Sequence, residues 1–264
     1  MIELLRRGLR AEWTKLRSIR ATVWSALAIV GVTVGVSCFL AAMGGTDANA
    51  VGAQGDDDVV VNSLRGVWLG QLANVALGVI AVASEFDTGT IRATFTALPQ
   101  RLVAFAAKAA VVGAVAVTVG SAASVLSFVI AQPLLHAGGF VPPAYPIISL
   151  ADASSIRAVA GTALYLTLLA LFAVGVATIL RHTAAAMTVV VGLVLVPTVV
   201  MGFFTGQARE LVQQLTPAAG LSIQIASERY DTPPLGPWGG LGVTAAWTVS
   251  ALLVAGWTIR HRDV

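Results

Sequence analysis

Six long apolar stretches divide this chain of 264 residues, and they constrain its fold more than any other feature. An α-helix needs about 20 apolar residues to cross a bilayer, and these stretches approach or exceed that length. The chain is 57% hydrophobic and 11% charged, whereas a soluble domain carries about 25% charged residues. We predict an all-α integral membrane protein whose single transmembrane domain occupies residues 1–264. The predicted spans are residues 23–43, 66–83, 102–131, 158–180, 184–204 and 241–259.

Basic residues are divided unequally between the two sides that these spans define. With the N-terminus in the cytoplasm, 12 of the 16 Lys and Arg residues lie inside, as the positive-inside rule requires. We therefore predict that both termini are cytoplasmic. The net charge of +3 does not indicate a nucleic-acid partner, because the basic residues lie at membrane boundaries, where lipid accounts for them. The basic residues placed outside are Arg65, Arg157, Arg209 and Arg229.

The first 22 residues are amphipathic. Leu9, Trp13 and Leu16 recur at helical spacing among cations. This pattern predicts a helix in the cytoplasmic interface, with Trp13 at the acyl boundary and Lys15 and Arg17 toward the lipid headgroups. The alternative is a charged leader that only enforces topology, and the two interpretations are compatible.

The central parts of the six spans contain no Asp, Glu, Lys, Arg or His. Ion-coupled carriers and membrane-embedded hydrolases need such groups inside the membrane. Lys15 and Lys108 are the only lysines and neither follows a glycine, so the chain has no P-loop. Lys108, near the start of span 3, is expected to extend to the interface. We predict that this chain is not an enzyme and binds no metal or cofactor itself.

Two other patterns concern packing and loops. Span 3 carries hydroxyl side chains at steps of three, which form either a substrate path or dimer seam, or a simple packing stripe. Gly31 and Gly35 in span 1 are expected to serve packing. The adjacent acids at positions 56–58 do not converge on one ion and are expected in a solvated outer loop. The hydroxyl residues of span 3 are Thr118, Ser121, Ser124 and Ser127.

Residues 205–240, between spans 5 and 6, form an outer segment. Its apolar runs are too short to span a membrane, so we predict one or two interfacial or re-entrant helices. Residues 217–220, which begin with Pro217, are expected to break them. Within span 5, Pro197 is expected to produce a kink.

The inner loop between spans 2 and 3 is the most distinctive part of the sequence. Ser84 followed by Asp87 has the pattern of a capping box, which begins a helix. Gly89 permits a break, and Pro99 ends the element. The pattern predicts a short helix parallel to the membrane, suited to receiving force from a cytoplasmic protein. An interfacial helix without a partner is equally compatible with these residues.

A longer pattern runs through this loop. Residues 84–92 read Ser-Glu-Phe-Asp-Thr-Gly-Thr-Ile-Arg, followed by Pro99-Gln100-Arg101 and Lys108. Near its N-terminus the chain also contains Glu12-Trp13-Thr14-Lys15-Leu16-Arg17-Ser18. Both stretches resemble the permease subunits of bacterial ABC transporters of the type-2 exporter kind. The resemblance covers the whole chain, including its six spans and its N-terminal helix.

The resemblance implies a function and a set of partners. The chain would be the permease of an ATP-driven exporter in the bacterial cytoplasmic membrane, pairing with a second permease copy as a homodimer. A separate ATPase subunit would bind ATP and magnesium and dock on the inner loop. A non-transporting membrane scaffold and a passive channel are the alternatives, and the exported substrate is not indicated. The coupling residues would be Glu85, Phe86, Asp87, Gly89, Thr90, Ile91, Arg92 and Arg101.

Overall fold

A computed structural model describes residues 2–18, 20–48, 58–91, 100–142, 145–200, 203, 207–226 and 235–261. Every regular element assigned within these ranges is helical. In chain order the elements are α1 Ile2–Ser18, α2 Arg20–Ala48, α3 Val59–Leu64, α4 Val67–Asp87, α5 Arg101–Ala137, α6 Ala153–Leu180, α7 Thr183–Val200, α8 Gln207–Leu215, a 3₁₀ helix Pro217–Gln224, and α9 Gly236–His261.

Six of these helices, α2, α4, α5, α6, α7 and α9, are long and apolar enough to cross a membrane. They coincide with the six predicted spans, so the prediction of a helical multi-pass membrane protein is confirmed. The helix α5 continues six residues beyond its predicted end and includes Pro133. Pro197 lies inside α7, one turn before the helix ends at Val200.

The core of the bundle is the contact between α4 and α6. Helix α6 is buried along most of its length, and Tyr165, Leu166 and Leu169 are fully enclosed. Gly78 of α4 allows the two backbones to meet, because a Cβ atom there would lie 2.4 Å from the carbonyl oxygen of Ala170. Helices α2 and α7 lie at the periphery and expose large apolar side chains, which hydrocarbon would cover in a bilayer.

The bundle has two sides, which we name by their elements. The proximal side carries α1, the end of α4, the start of α5 and the α6–α7 turn, which side-chain contacts join to one another. The distal side carries α3, α8 and the 3₁₀ helix. Within the predicted stretch 1–22, α1 covers residues 2–18 and α2 begins at Arg20, and the interfacial location of α1 stays a prediction.

The 3₁₀ helix of the distal side is wedged between α6 and α9. A Cβ atom at Gly161 of α6 would lie 2.1 Å from Cγ1 of Ile223, and one at Gly240 of α9 would lie 2.1 Å from the carbonyl oxygen of Ala219. Ile223 is fully buried. In the described part of the predicted outer segment, residues 207–226 form two short helices, and Pro217 begins the second, where the sequence predicted a break.

Candidate functional site

The distinctive loop begins inside α4. Ser84 Oγ donates a hydrogen bond to the carbonyl oxygen of Ile80 at 2.6 Å, and the amide of Thr88 donates to the carbonyl oxygen of Ser84 at 3.1 Å. Ser84 is therefore helical, and α4 ends at Asp87. The capping-box prediction is wrong, because the apolar helix before Ser84 simply continues through it.

A turn follows α4. Gly89 has φ +69°, a conformation that favours glycine, so the break predicted at this residue is confirmed. Asp87, Thr88, Gly89 and Thr90 are all exposed, whereas Ile91 is buried. Arg101 begins α5. Residues 92–99 of the predicted short helix, which include Arg92 and Pro99, lie outside the described residues.

Glu85 is not on the exposed surface. Its side chain is only 4% exposed, and Oε1 accepts hydrogen bonds from Nζ of Lys15 and Nζ of Lys108. Lys108 Nζ also lies 3.1 Å from Glu12 Oε2 and donates to the carbonyl oxygen of Ala81 at 3.3 Å. We call Glu12, Lys15, Glu85 and Lys108 the four-charge cluster. It ties α1 and α5 to the last turn of α4.

The cluster forms because α1 turns one polar face toward the bundle. Glu12 and Lys15 are three residues apart and therefore share a face, while Trp13 and Arg17 are exposed. Charges taken out of water need opposite partners, and the cluster contains two of each sign. Lys108 is 5% exposed, and its ammonium lies between the carboxylates of Glu12 and Glu85. Opposite charges at the facing ends of spans 2 and 3 were the signal in the sequence.

A second contact holds the last turn of α4 from the side of α6 and α7. The guanidinium of Arg181 lies over the ring of Phe86, 5.5 Å from its centroid. Thr183 Oγ1 donates a hydrogen bond to Asp87 Oδ2. The predicted spans place residues 181–183 between spans 4 and 5, and nothing in the sequence linked them to the inner loop.

Uncharged polar side chains lie deeper in the bundle. Tyr165 OH donates to Gln71 Oε1 at 2.7 Å, and Asn74 Nδ2 donates to the carbonyl oxygen of Leu166. All three side chains are fully buried. These hydrogen bonds join α4 to α6 and fix the orientation of the two helices relative to each other, which apolar contact alone would not do. Neither the ionisable groups of the spans nor the hydroxyl residues of span 3 pointed to these two amides in the sequence.

The hydroxyl residues of α5 do not share one face. Thr118 is exposed, Ser121 is half-buried, and Ser124 and Ser127 are buried. A helix advances about 100° per residue, so nine residues place Thr118 and Ser127 on opposite faces. Their role in a path or seam stays a prediction. Within the described chain, Gly31 and Gly35 would have no atom within 4 Å of an added Cβ, so they pack against none of these helices.

The distal side is held by contacts to backbone atoms. Asp58 Oδ1 accepts from the amides of Val60 and Val61 at 2.9 and 3.2 Å, and its Oδ2 accepts from the amide of Ala226 at 2.6 Å. Arg157 Nη2 donates to the carbonyl oxygen of Ile225 at 2.6 Å. Asp58 is buried, so its prediction as a solvated loop residue is wrong. The acids at 56 and 57 lie outside the described residues.

No protein-family model matches the sequence, and no curated protein is significantly similar to it. The resemblance of residues 84–92 to type-2 exporter permeases therefore stays a prediction. Among the described residues, no three His, Cys, Asp or Glu side chains are grouped to hold a metal ion. The structure shows an exposed turn that follows the C-terminal end of α4. That helix end is held by side chains of α1 and α5 and by side chains of the α6–α7 turn.

Proposed function

We propose that this chain is the membrane-spanning permease subunit of a type-2 ABC exporter in a bacterial cytoplasmic membrane. It works as a homodimer, and a separate ATPase subunit binds ATP and magnesium. One observation carries the proposal. The exposed turn Asp87–Thr90 follows directly on Glu85, which is buried among charges from two other helices.

A surface that receives force must be exposed to its partner and rigidly joined to the helices that it moves. The turn exposes a carboxylate and two hydroxyl groups, which bond within the chain and keep further lone pairs that can accept hydrogen bonds from a partner. Just behind it, Lys15 and Lys108 hold the Glu85 carboxylate to α1 and α5. A push on the turn is thereby delivered to three helices at once.

This geometry divides the proposed coupling residues into two groups. Asp87, Thr88, Gly89 and Thr90 contact the ATPase subunit. Glu85, Phe86 and Ile91 position that surface from inside. The roles of Arg92 and Arg101 rest on the resemblance alone.

The exposed faces of α2 and α7 support a second permease copy as partner. Gly31 and Gly35 lie four residues apart on α2 and face away from the described chain. Small residues at this spacing let two membrane helices approach closely. The substrate path would lie between the two copies, and its substrate is not specified by this geometry.

The first test is purification from the native host in mild detergent, with co-purifying chains identified by mass spectrometry. We expect a stoichiometric P-loop ATPase. Thr88→Arg, which adds a bulky cation to the exposed turn, should remove it. The matched control is Glu210→Arg, a charge change at an exposed distal position, which should retain it.

Other outcomes would favour the alternatives. A chain that purifies alone and conducts its solute in liposomes without ATP would be a passive channel. A stoichiometric partner without a P-loop, and no ATP-dependent flux, would identify a scaffold. Either result would overturn the exporter proposal.

A further inference from the structure

The α6–α7 turn contains a backbone conformation that calls for an explanation. Arg181 has φ +55° and ψ +23°, and it is the one non-glycine residue with positive φ in the described part of the chain. This left-handed conformation usually falls to glycine at a helix C-terminus, because a Cβ atom makes it unfavourable. Strain of this kind persists where surrounding contacts hold it, and it often marks a functional element.

The side chain of Arg181 explains why this position carries arginine instead of glycine. From this position the guanidinium reaches the ring of Phe86, which glycine could not do. Two residues later, Thr183 Oγ1 donates to Asp87 Oδ2. The turn therefore grips two consecutive residues at the end of α4, immediately before the exposed Thr88–Thr90.

The turn is also the start of α7, which is loosely held. Buried residues in α7 are Ala186, Val190 and Val194, a single stripe with four-residue spacing. The rest of α7 is half-buried or exposed. A helix that is anchored along one narrow stripe can tilt with little loss of packing. A displacement of Asp87 would therefore move the first turn of α7 and tilt the helix.

We propose that Arg181 and Thr183 are positioning residues that transmit movement of the exposed turn to α7. This inference rests on the proposed function, since it assumes that an ATPase subunit moves the turn. Beyond the proposed function, we infer two separate routes of movement. The α6–α7 turn transmits movement to α7, and the four-charge cluster transmits it to α1 and α5.

The test uses the purified complex of permease and ATPase. Thr183→Val removes the hydroxyl and keeps the side-chain shape, while Thr183→Ser keeps the hydroxyl. Arg181→Gly relieves the backbone strain but removes the contact with Phe86. Thr188→Val is the matched control, because its hydroxyl bonds only the carbonyl oxygen of Ala184 one turn back in the same helix.

We expect Thr183→Val and Arg181→Gly to retain the ATPase subunit but to lower ATP-driven transport per complex by about fivefold or more. Thr183→Ser and Thr188→Val should match the wild type. Transport at the wild-type rate in both Thr183→Val and Arg181→Gly would overturn the inference. Loss of the ATPase subunit from these two variants would assign the turn to docking and would also overturn it.

A covalent link provides an independent check. In a Cys38→Ser background, Asp87→Cys combined with Thr183→Cys should transport slowly when reduced and regain speed when oxidised to a disulfide. Both states lack the Asp87 carboxylate, so only the link differs. Equal rates in the two states would contradict transmission through this contact. If the wild-type chain brings down no ATPase, the proposed function itself fails, which is distinct from either result above.

Discussion

The proximal and distal sides of the bundle are held by different kinds of contact. On the proximal side, charged side chains meet one another, as in Glu85 with Lys15 and Lys108. On the distal side, side chains meet backbone atoms, and glycines admit close neighbours, which are the side chain of Ile223 at Gly161 and the backbone of Ala219 at Gly240. A Lys ammonium on its flexible stem can keep a carboxylate while helices shift. A close backbone contact allows no such movement. The proximal side is suited to motion and the distal side to closure.

The largest effect should come from removing a single charge on the proximal side. Lys108→Met leaves Glu12 and Glu85 buried without their shared cation, and breaking a buried pair in this way costs about 3–5 kcal/mol. The measurement is chemical unfolding in detergent. Glu85→Gln combined with Lys108→Met should recover part of the loss, because the cluster then keeps one carboxylate and one ammonium, Glu12 and Lys15, three residues apart on α1. A double variant no better than the single one would show that the charges are not coupled.

A steric change tests the distal side. Gly161→Val places new atoms where Ile223 lies, and overpacking of this kind costs about 1–3 kcal/mol. Combining it with Ile223→Ala should relieve part of the strain. Gly192→Val is the control, since a Cβ atom there would have no neighbour within 4 Å. Equal unfolding curves for Gly161→Val and Gly192→Val would contradict the wedged position of the 3₁₀ helix.

The Asp58 carboxylate tests whether the distal side is held at the backbone. Asp58→Ala removes the cap of α3 and the acceptor for the amide of Ala226, and loss of a cap costs about 1 kcal/mol. Hydrogen exchange should accelerate at Val60 and Ala226. Asp58→Asn keeps an oxygen acceptor and should exchange more slowly than Asp58→Ala. Identical exchange in the two variants would argue against the capping role.

The smallest effect on stability is expected from a substitution in the middle of the bundle, between the proximal and distal sides. Tyr165→Phe removes the hydrogen bond to Gln71 and little else, and such bonds inside membrane bundles contribute about 0.6 kcal/mol. Unfolding in detergent should show a correspondingly small shift. Gln71→Leu should have a larger effect, because it also removes the hydrogen bond that Gln71 Nε2 donates to the carbonyl oxygen of Trp68 at 3.0 Å, and the two changes together should be less than additive. Full additivity would mean that this hydrogen bond does not form.

The six spans could be predicted from the sequence because the thickness of the hydrocarbon layer fixes the length of a spanning helix, and apolar runs of that length are visible in the sequence. The break at Gly89 was also predictable, since positive φ favours glycine. The four-charge cluster was not, because Lys108 and Glu85 at span ends fit an interfacial location equally well. Their burial depends on α1 lying across α4 and α5, a contact between residues 70 apart at Lys15 and Glu85. Ser84 was misassigned because a local capping pattern lies inside a longer helix.

The long separation within the four-charge cluster has a consequence for biogenesis. Glu12 and Lys15 leave the ribosome well before Glu85, and Lys108 emerges later still. Until the third span is inserted, α1 lacks its proximal partners, and Glu12 has no Lys108 with which to pair. Completion of the cluster therefore reports that three segments have reached their places.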